Sequence, residues 1–183
     1  MLISQVPRHD SPHVLDFCSS IVKGQPPIVV PHEPLDGEPI GESFDTVPKH
    51  IVAHKGKQLN GWAIWQVADL YIEAEFHAVW QDTDGALIDL TPHWTTHESI
   101  LFLPEPGREY GRRNIDGVRR ALTDDLDVIR FLHLAKKRFD IMNEGDLAYQ
   151  FGDIELPARS LREVRKVYKE MMQLQHRLTV RYT

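Results

Sequence analysis

The sequence predicts an α+β fold in which a small antiparallel sheet of about four strands packs against helices. Two observations support this class. Aromatic and β-branched residues are concentrated between residues 60 and 104, and the flanking segments space their apolar residues as helices do. A chain of 183 residues, 42% of them hydrophobic, can bury one sizeable core. We therefore expect a single domain over residues 1–183.

Four segments carry helical signals. They lie near residues 11–23, 45–56, 123–142 and 158–182. Ser11 followed by Pro12 is a helix-start pair, and Pro48, which lacks an N–H, must lie near the start of the second helix. The C-terminal segment 158–182 is the clearest amphipathic helix, because Arg and Lys cover the side opposite its apolar residues.

Helical spacing also predicts which side chains share the inward face of each helix. They are Val14, Phe17, Cys18 and Ile21 in the first, Val47, Ile51 and Val52 in the second, Leu126, Ile129, Leu132, His133 and Lys136 in the third, and Leu161, Val164, Tyr168, Met171, Leu174 and Leu178 in the fourth. We expect these faces to pack on the sheet.

The strand pattern begins near residue 60. GWAIWQV and DLYIEAEFHAVWQ predict two adjacent strands, DTDG predicts a turn, and ALIDL and ESILFLP predict a third and a fourth strand. Residues 24–42 contain five prolines, and PEPGREYGRRNIDG is polar and rich in glycine. Both segments are therefore predicted to be loops.

The hairpin places an imidazole and a carboxylate on the same side of neighbouring strands. With the turn near Gly85, opposed residue numbers sum to about 168, so Asp89 lies beside Val79 and one diagonal step from His77. Asp89 can then accept the ring N–H of His77. This is the arrangement that orients the base in acyl transfer by a serine or cysteine nucleophile.

Three residues near this pair are candidates for substrate binding. Glu75 is on the same strand face as His77. It is a second acid, a binding partner for a substrate amine, or simply a solvated residue on the strand. Trp62 and Trp65 are either core anchors or walls of a substrate groove, and buried aromatic stripes more often belong to a core.

The order of motifs carries a family resemblance. A helix start at ESFDTV is followed by F-H-A-V-W and then by I-D-L-T-P. This order resembles the transglutaminase-like core of the papain-like cysteine peptidase superfamily, with its H-A-W and D-P or D-x-T segments. The runs GWAIW, EAEFHAVW, ILFLPEP and FDIMNEGDLA also resemble a group of bacterial proteins, some with a C-x-F motif before GW. The resemblance covers residues 41–93, within a catalytic-like core placed at 41–104.

The resemblance implies acyl chemistry on a peptide, amide or isopeptide bond, by hydrolysis or transfer. Ser43 would attack, His77 would take its proton, Asp89 would orient His77, and backbone N–H groups at the head of the 45–56 helix would receive the oxyanion. No cofactor and no metal are implied. Ser43 stands where the family has cysteine, so it is a working nucleophile, a replaced cysteine, or the mark of an inactive relative kept as a binding module. The remaining alternative is that Ser43 serves only as the N-cap residue of the helix.

Cys18 is the rival nucleophile because it is the only thiol in the chain. It lies on the apolar face of the first helix, where a thiol is protonated and inert. The same lone cysteine excludes an internal disulfide and the cysteine-rich zinc patterns.

Ten histidines support a second class, a metalloprotein, and the segments HDSPH, HIVAH and HWTTH each place two of them four residues apart. The sequence HIVAH places His50 and His54 on one helical face, and His77 is the third ligand in this alternative. No glutamate base lies between the pair, as it does in H-E-x-x-H enzymes.

The third class is a binding module. The C-terminal helix carries seven basic residues against two acidic ones: Arg159, Arg162, Arg165, Lys166, Lys169, Arg177 and Arg181 against Glu163 and Glu170. This face could bind an acidic partner or form a homodimer. The formal charge of −6 disfavours nucleic acid as a partner. Since no apolar run approaches the ~20 residues that cross a bilayer, we expect a cytoplasmic protein with no membrane partner.

Overall fold

A computed structural model describes residues 2–150 and 154–183. Its architecture is α+β, as predicted. The helices are α1 (Pro12–Ile21), α2 (Ser43–His54), α3 (Leu126–Met142) and α4 (Ala158–Tyr182), with a short 3-10 helix at Gly145–Tyr149. The strands are β1 (Ile28–Pro31), β2 (Lys57–Val67), β3 (Tyr71–Gln81), β4 (Leu87–Ile88), β5 (Ser99–Pro104) and β6 (Val118–Ala121). All four helices that the sequence predicts are therefore present.

The sheet has six strands among the described residues, so the prediction of about four was too low. The strand order is β1-β5-β2-β3-β4, and β6 pairs with β3. The sequence missed β1 because prolines surround it. As an end strand of this order it tolerates Pro31, whose missing N–H costs no central ladder bond. β1 pairs antiparallel with β5 from Ile28 opposite Phe102 to Pro31 opposite Ser99.

The β3–β4 hairpin has the predicted register. Trp80 lies opposite Ile88 and Gln81 opposite Leu87, so opposed residue numbers sum to 168. Gly85 in the turn has a φ of 95°, a conformation that glycine adopts without the steric cost of a side chain. This register brings the residue after β4, Asp89, alongside the part of β3 that carries His77.

By its internal contacts the chain divides into two compact units. The sheet unit comprises Ser4–Gln66 and Glu73–Tyr110, and the helical unit comprises Val67–Ile72, Gly111–Thr183 and the described part of Met1–Ile3. One buried apolar cluster of the sheet unit contains Val30, Ala63, Trp65, Val79, Ile100 and Phe102. The single domain expected from the chain length stays a prediction.

The helical unit buries apolar side chains from α3 and α4. Two clusters lie among its described residues: Leu134, Ala135, Val167, Met171 and Leu174 form one, and Val128 and Leu178 form the other with Leu70, which precedes β3. The predicted inward faces are wrong in part, because Leu126, Ile129, His133 and Lys136 on α3 and Tyr168 on α4 are exposed. In α3 the buried stripe passes through Val128. In α4 it passes through Val167. The predicted residues beside Val128 and Val167 lie about 100° around the helix from the buried stripe.

The inward face predicted for α2 is wrong at one position. Val47 is fully buried, but Val52 is 89% exposed. Pro48 lies inside α2 rather than in its first turn, since the helix already begins at Ser43. None of the described helices combines the length and apolar character needed to cross a membrane.

Candidate functional site

The candidate site is centred on Asp89, which follows β4. A parallel bridge joins Asp89 to His32, the residue after β1. The Asp89 N–H donates to the carbonyl oxygen of Pro31 at 2.9 Å, and its own carbonyl accepts from the N–H of Glu33 at 2.9 Å. Asp89 is thus held by backbone bonds on both sides, and its side chain is fully buried.

Two imidazoles and one backbone amide donate to the Asp89 carboxylate. His77 Nε2–H donates to Oδ1 at 2.9 Å, and His93 Nε2–H donates to Oδ2 at 2.7 Å. The backbone N–H of Thr91 reaches Oδ1 at 3.2 Å. Both carboxylate oxygens are satisfied, as a buried charge requires.

Burial and charge act in opposite directions on this pair. Burial alone would lower the pKa of His77, but the charge and hydrogen bond of Asp89, with the charge of Glu75, raise it above the usual value. Burial alone would raise the pKa of Asp89, but the charge and hydrogen bond of His77 and the bond from His93 hold that pKa well below its usual range. Asp89 is therefore an anion with imidazole partners.

His32 completes the group, which we call the Asp89 cluster: His32, His77, Asp89 and His93. Its Nδ1 lies 3.0 Å from the carbonyl oxygen of His97, and its Nε2 lies 2.9 Å from that of Thr91. The His32 and His93 ring centroids are 4.9 Å apart, and those of His77 and His93 are 5.6 Å apart. One carboxylate is thus surrounded by three imidazoles inside the sheet unit.

Ser43 is the first residue of α2 and is buried. Its Oγ accepts a hydrogen bond from the backbone N–H of Ala78 at 3.1 Å, so it contacts the residue next to His77 in β3. No hydrogen bond joins Ser43 to His77 within the described residues. The structure therefore joins His77 to Asp89 directly and brings Ser43 only to the neighbouring backbone. The role of Ser43 as nucleophile stays a prediction.

The predicted substrate-binding residues are in different environments. Trp62 is buried and its Nε1–H donates to Glu105 Oε2 at 2.8 Å. Trp65 is also buried, in the core of the sheet unit, with its ring centroid 5.1 Å from that of His93. Glu75 is exposed. Both tryptophans thus take the core position that is usual for aromatic residues, and a role in substrate binding stays a prediction for all three.

Cys18 is a free thiol buried on α1. Burial raises the pKa of its thiol to about 11. At neutral pH the nucleophilic thiolate is therefore scarce at this position.

The histidines of the metal alternative are not brought together as a set. His50 and His54 stack with centroids 4.1 Å apart, and His50 also meets the edge of Trp80. Within the described residues, the group with metal-ligand spacing is His32, Asp89 and His93. Of these three, Asp89 was predicted as a catalytic residue, His93 was considered only as part of the pair in HWTTH, and His32 was not a candidate. His93 is four residues after Asp89 in DLTPH, and this spacing is only a weak indication of a shared site. His32 lies in the proline-rich segment that the sequence predicted to be a loop.

The basic face of α4 is partly neutralised by acidic residues of the helical unit. Arg177 pairs with Asp127 at 2.8 Å, and Arg181 pairs with Asp125 and with Asp127. Arg130 of α3 pairs with Glu170 of α4 at 2.7 Å. This face is less cationic than the sequence of α4 suggests. The acidic partner and the homodimer expected there stay predictions.

Comparisons of the chain with protein-family models, with curated proteins and with solved structures find no match. The likeness to the transglutaminase-like core therefore rests on short motifs.

Proposed function

We propose that the sheet unit carries the base half of an acyl-transfer centre of the papain-like type, acting on a peptide or amide bond. The observation that carries the proposal is the buried hydrogen bond from His77 Nε2–H to Asp89 Oδ1 at 2.9 Å. A carboxylate on one ring nitrogen fixes the tautomer of the imidazole and stabilises its protonated form. It leaves the other nitrogen, Nδ1, to exchange a proton with a nucleophile.

The surroundings of Ser43 support its assignment to the nucleophile position. As the first residue of α2 it lies at the positive end of a helix dipole. The N–H of Ala78 donates to its Oγ. Both features favour a negative charge on the side-chain atom at this position, and they oppose the burial of Ser43, which by itself raises a thiol pKa as it does at Cys18. A serine hydroxyl gains little from them because its pKa is far above neutrality, whereas a thiol would become a thiolate.

The proposed reaction follows from these roles. The nucleophile at position 43 attacks the carbonyl carbon while His77 Nδ1 takes its proton, and the same proton then goes to the leaving amine. Backbone N–H groups in the first turn of α2 receive the oxyanion. With serine in place the centre is an inactive or weakly active form of this machinery.

The test is to convert Ser43 to cysteine and to measure the ionisation of the new thiol by the ultraviolet absorbance of thiolate. Cys18 does not interfere near neutrality, because its pKa is about 11. We expect the S43C thiol to ionise below the ordinary cysteine pKa of about 8.5. Alkylation by iodoacetamide should be faster at position 43 than at Cys18.

The contribution of His77 is separated from that of the helix by two further variants. S43C/H77Q should ionise at higher pH than S43C. S43C/H93Q removes a comparable bond to the same carboxylate and should ionise as S43C does. Circular dichroism checks that each variant is folded. An ordinary or raised thiol pKa in S43C, or equal effects of the two glutamine substitutions, would rule out a nucleophile position served by His77.

A further inference from the structure

The Asp89 cluster contains a donor–acceptor mismatch at His32. Both ring nitrogens of this buried histidine lie about 3 Å from backbone carbonyl oxygens, of His97 and of Thr91. A carbonyl oxygen only accepts hydrogen bonds, and a neutral imidazole has a single N–H. One nitrogen of a neutral His32 therefore directs its lone pair at an oxygen lone pair. A bound cation would convert this repulsion into coordination.

A second mismatch lies at Thr91. Its backbone N–H contacts Asp89 and its carbonyl contacts His32, so this residue belongs to the same site. Its side-chain Oγ1 is buried and has no hydrogen-bond partner among the described residues. A buried oxygen without a partner is unfavourable, and a bound ion or its coordinated water removes that cost.

The spacing of ligand atoms is compatible with one metal ion. One atom each from His32, Asp89 and His93 lie within 4.8 Å of one another. Ligands about 2.1 Å from a tetrahedral ion are roughly 3.4 Å apart, so the distances between these atoms would change by up to about 1.4 Å on binding. Asp89 Oδ2 and His93 Nε2, now 2.7 Å apart, would separate as the proton between them is replaced by the ion.

From these observations we infer that His32, Asp89 and His93 form a binding site for a divalent transition metal ion such as zinc. Two imidazoles and one carboxylate suit zinc, cobalt or nickel, whereas calcium and magnesium prefer oxygen ligands alone. Three protein ligands leave a further position for water or another ligand. His77 is outside the ligand set and supports it, since its N–H fixes the second oxygen of Asp89.

The site goes beyond the proposed acyl chemistry and uses different atoms. Asp89 gives Oδ1 to His77 and Oδ2 to the ion, so both roles can be held by one carboxylate. A metal site here would survive the failure of the S43C experiment. Equally, its absence would leave the pair of His77 and Asp89 in place.

The direct test is titration of untagged, chelator-stripped protein with Zn²⁺ by calorimetry and with Co²⁺ by visible absorption. We expect one ion per chain, with the intense absorption of four-coordinate Co²⁺. H32Q and H93Q should weaken binding by more than roughly 100-fold, and H77Q, which removes only a supporting bond, by roughly 10- to 100-fold. H54A is the matched control for a surface imidazole and should bind as the wild type does.

A measurement on the wild-type chain guards against substitutions that impair folding. Imidazole ¹⁵N chemical shifts should change on addition of Zn²⁺ at His32 and His93, and the signals of His50 and His54 should stay fixed. Absence of stoichiometric Zn²⁺ binding would overturn the inference. Binding that is lost in H54A but kept in H93Q would overturn it as well, because the ion would then sit on the surface of α2.

Discussion

The sheet unit and the helical unit both place aspartates beside basic side chains, yet in opposite environments. Asp89 of the sheet unit is fully buried and bonded to two imidazoles. Asp125 and Asp127 of the helical unit pair with Arg177 and Arg181 at the surface. Burial removes the hydration water of Asp89, and its hydrogen-bond partners must replace that water. The ion pairs of Asp125 and Asp127 stay in contact with water and are screened by salt.

Burial distinguishes the two kinds of charged group as candidates for a functional site. Exposed ion pairs contribute little to stability and occur on most protein surfaces. A carboxylate that is buried with three histidines around it is costly to build, and perturbed titratable groups of this kind cluster at functional sites. The Asp89 cluster is therefore the stronger candidate, although the helical unit has more charged residues.

The largest expected effect is that of Asp89→Asn on stability. Asparagine has one acceptor oxygen and one NH₂ group where aspartate has two acceptor oxygens. One of His77 and His93 therefore loses its hydrogen-bond acceptor, and both lose the negative charge. Breaking a buried ion pair in this way costs about 3–5 kcal/mol. We expect a loss of at least about 3 kcal/mol in the free energy of unfolding, measured by urea denaturation with chelator present. A loss below about 1 kcal/mol, the range of surface pairs, would remove the contrast between the units.

The next largest effect is expected for Leu174→Ala in the helical unit. Leu174 of α4 is 2% exposed and packs in the cluster with Leu134 and Met171. Leu174→Ala removes this packing and leaves a cavity, at a cost of about 2–5 kcal/mol. Val180→Ala, at a position of the same helix that is 72% exposed, is the control and should change stability by less than about 0.5 kcal/mol. Similar losses for both variants would mean that apolar packing does not hold α3 and α4 together.

The sequence predicted those features of the fold and site that depend on local residue patterns. Hairpin register follows from turn position and from the alternation of strand residues, so the position of Asp89 relative to His77 could be derived. Helix existence also followed from spacing. The helical phase did not follow from spacing, because Tyr168 beside Val167 offers two adjacent apolar stripes and only the packing partner decides which one is buried.

The rest of the site depends on contacts between distant parts of the chain. His32 reaches Asp89 through a bridge between segments 57 residues apart, at the end of a strand that its prolines concealed. His93 is near Asp89 in the sequence, but its bond depends on how the loop after β4 folds back. Neither position has a periodic signal. Spatial proximity of this kind is not encoded in a local pattern.

The smallest effect is expected for Asp127→Asn in the helical unit. The hydrogen bond and charge of Arg177, with the charge of Arg181, hold the pKa of Asp127 below its usual value. Because the folded-state pKa is lowered, the stabilising contribution is complete above the unfolded pKa of about 3.9 and is lost as pH falls through the folded-state pKa. At neutral pH and low salt, the urea midpoint of the variant should be slightly below that of the wild type. The difference should disappear in high salt and at acid pH.

Asp124→Asn is the matched control for Asp127→Asn, since Asp124 is an exposed carboxylate with no ion pair within the described residues. A difference that persists in high salt, or one as large as that of Asp89→Asn, would show that the ion pairs of α4 are not the weak, screened contacts that their exposure indicates.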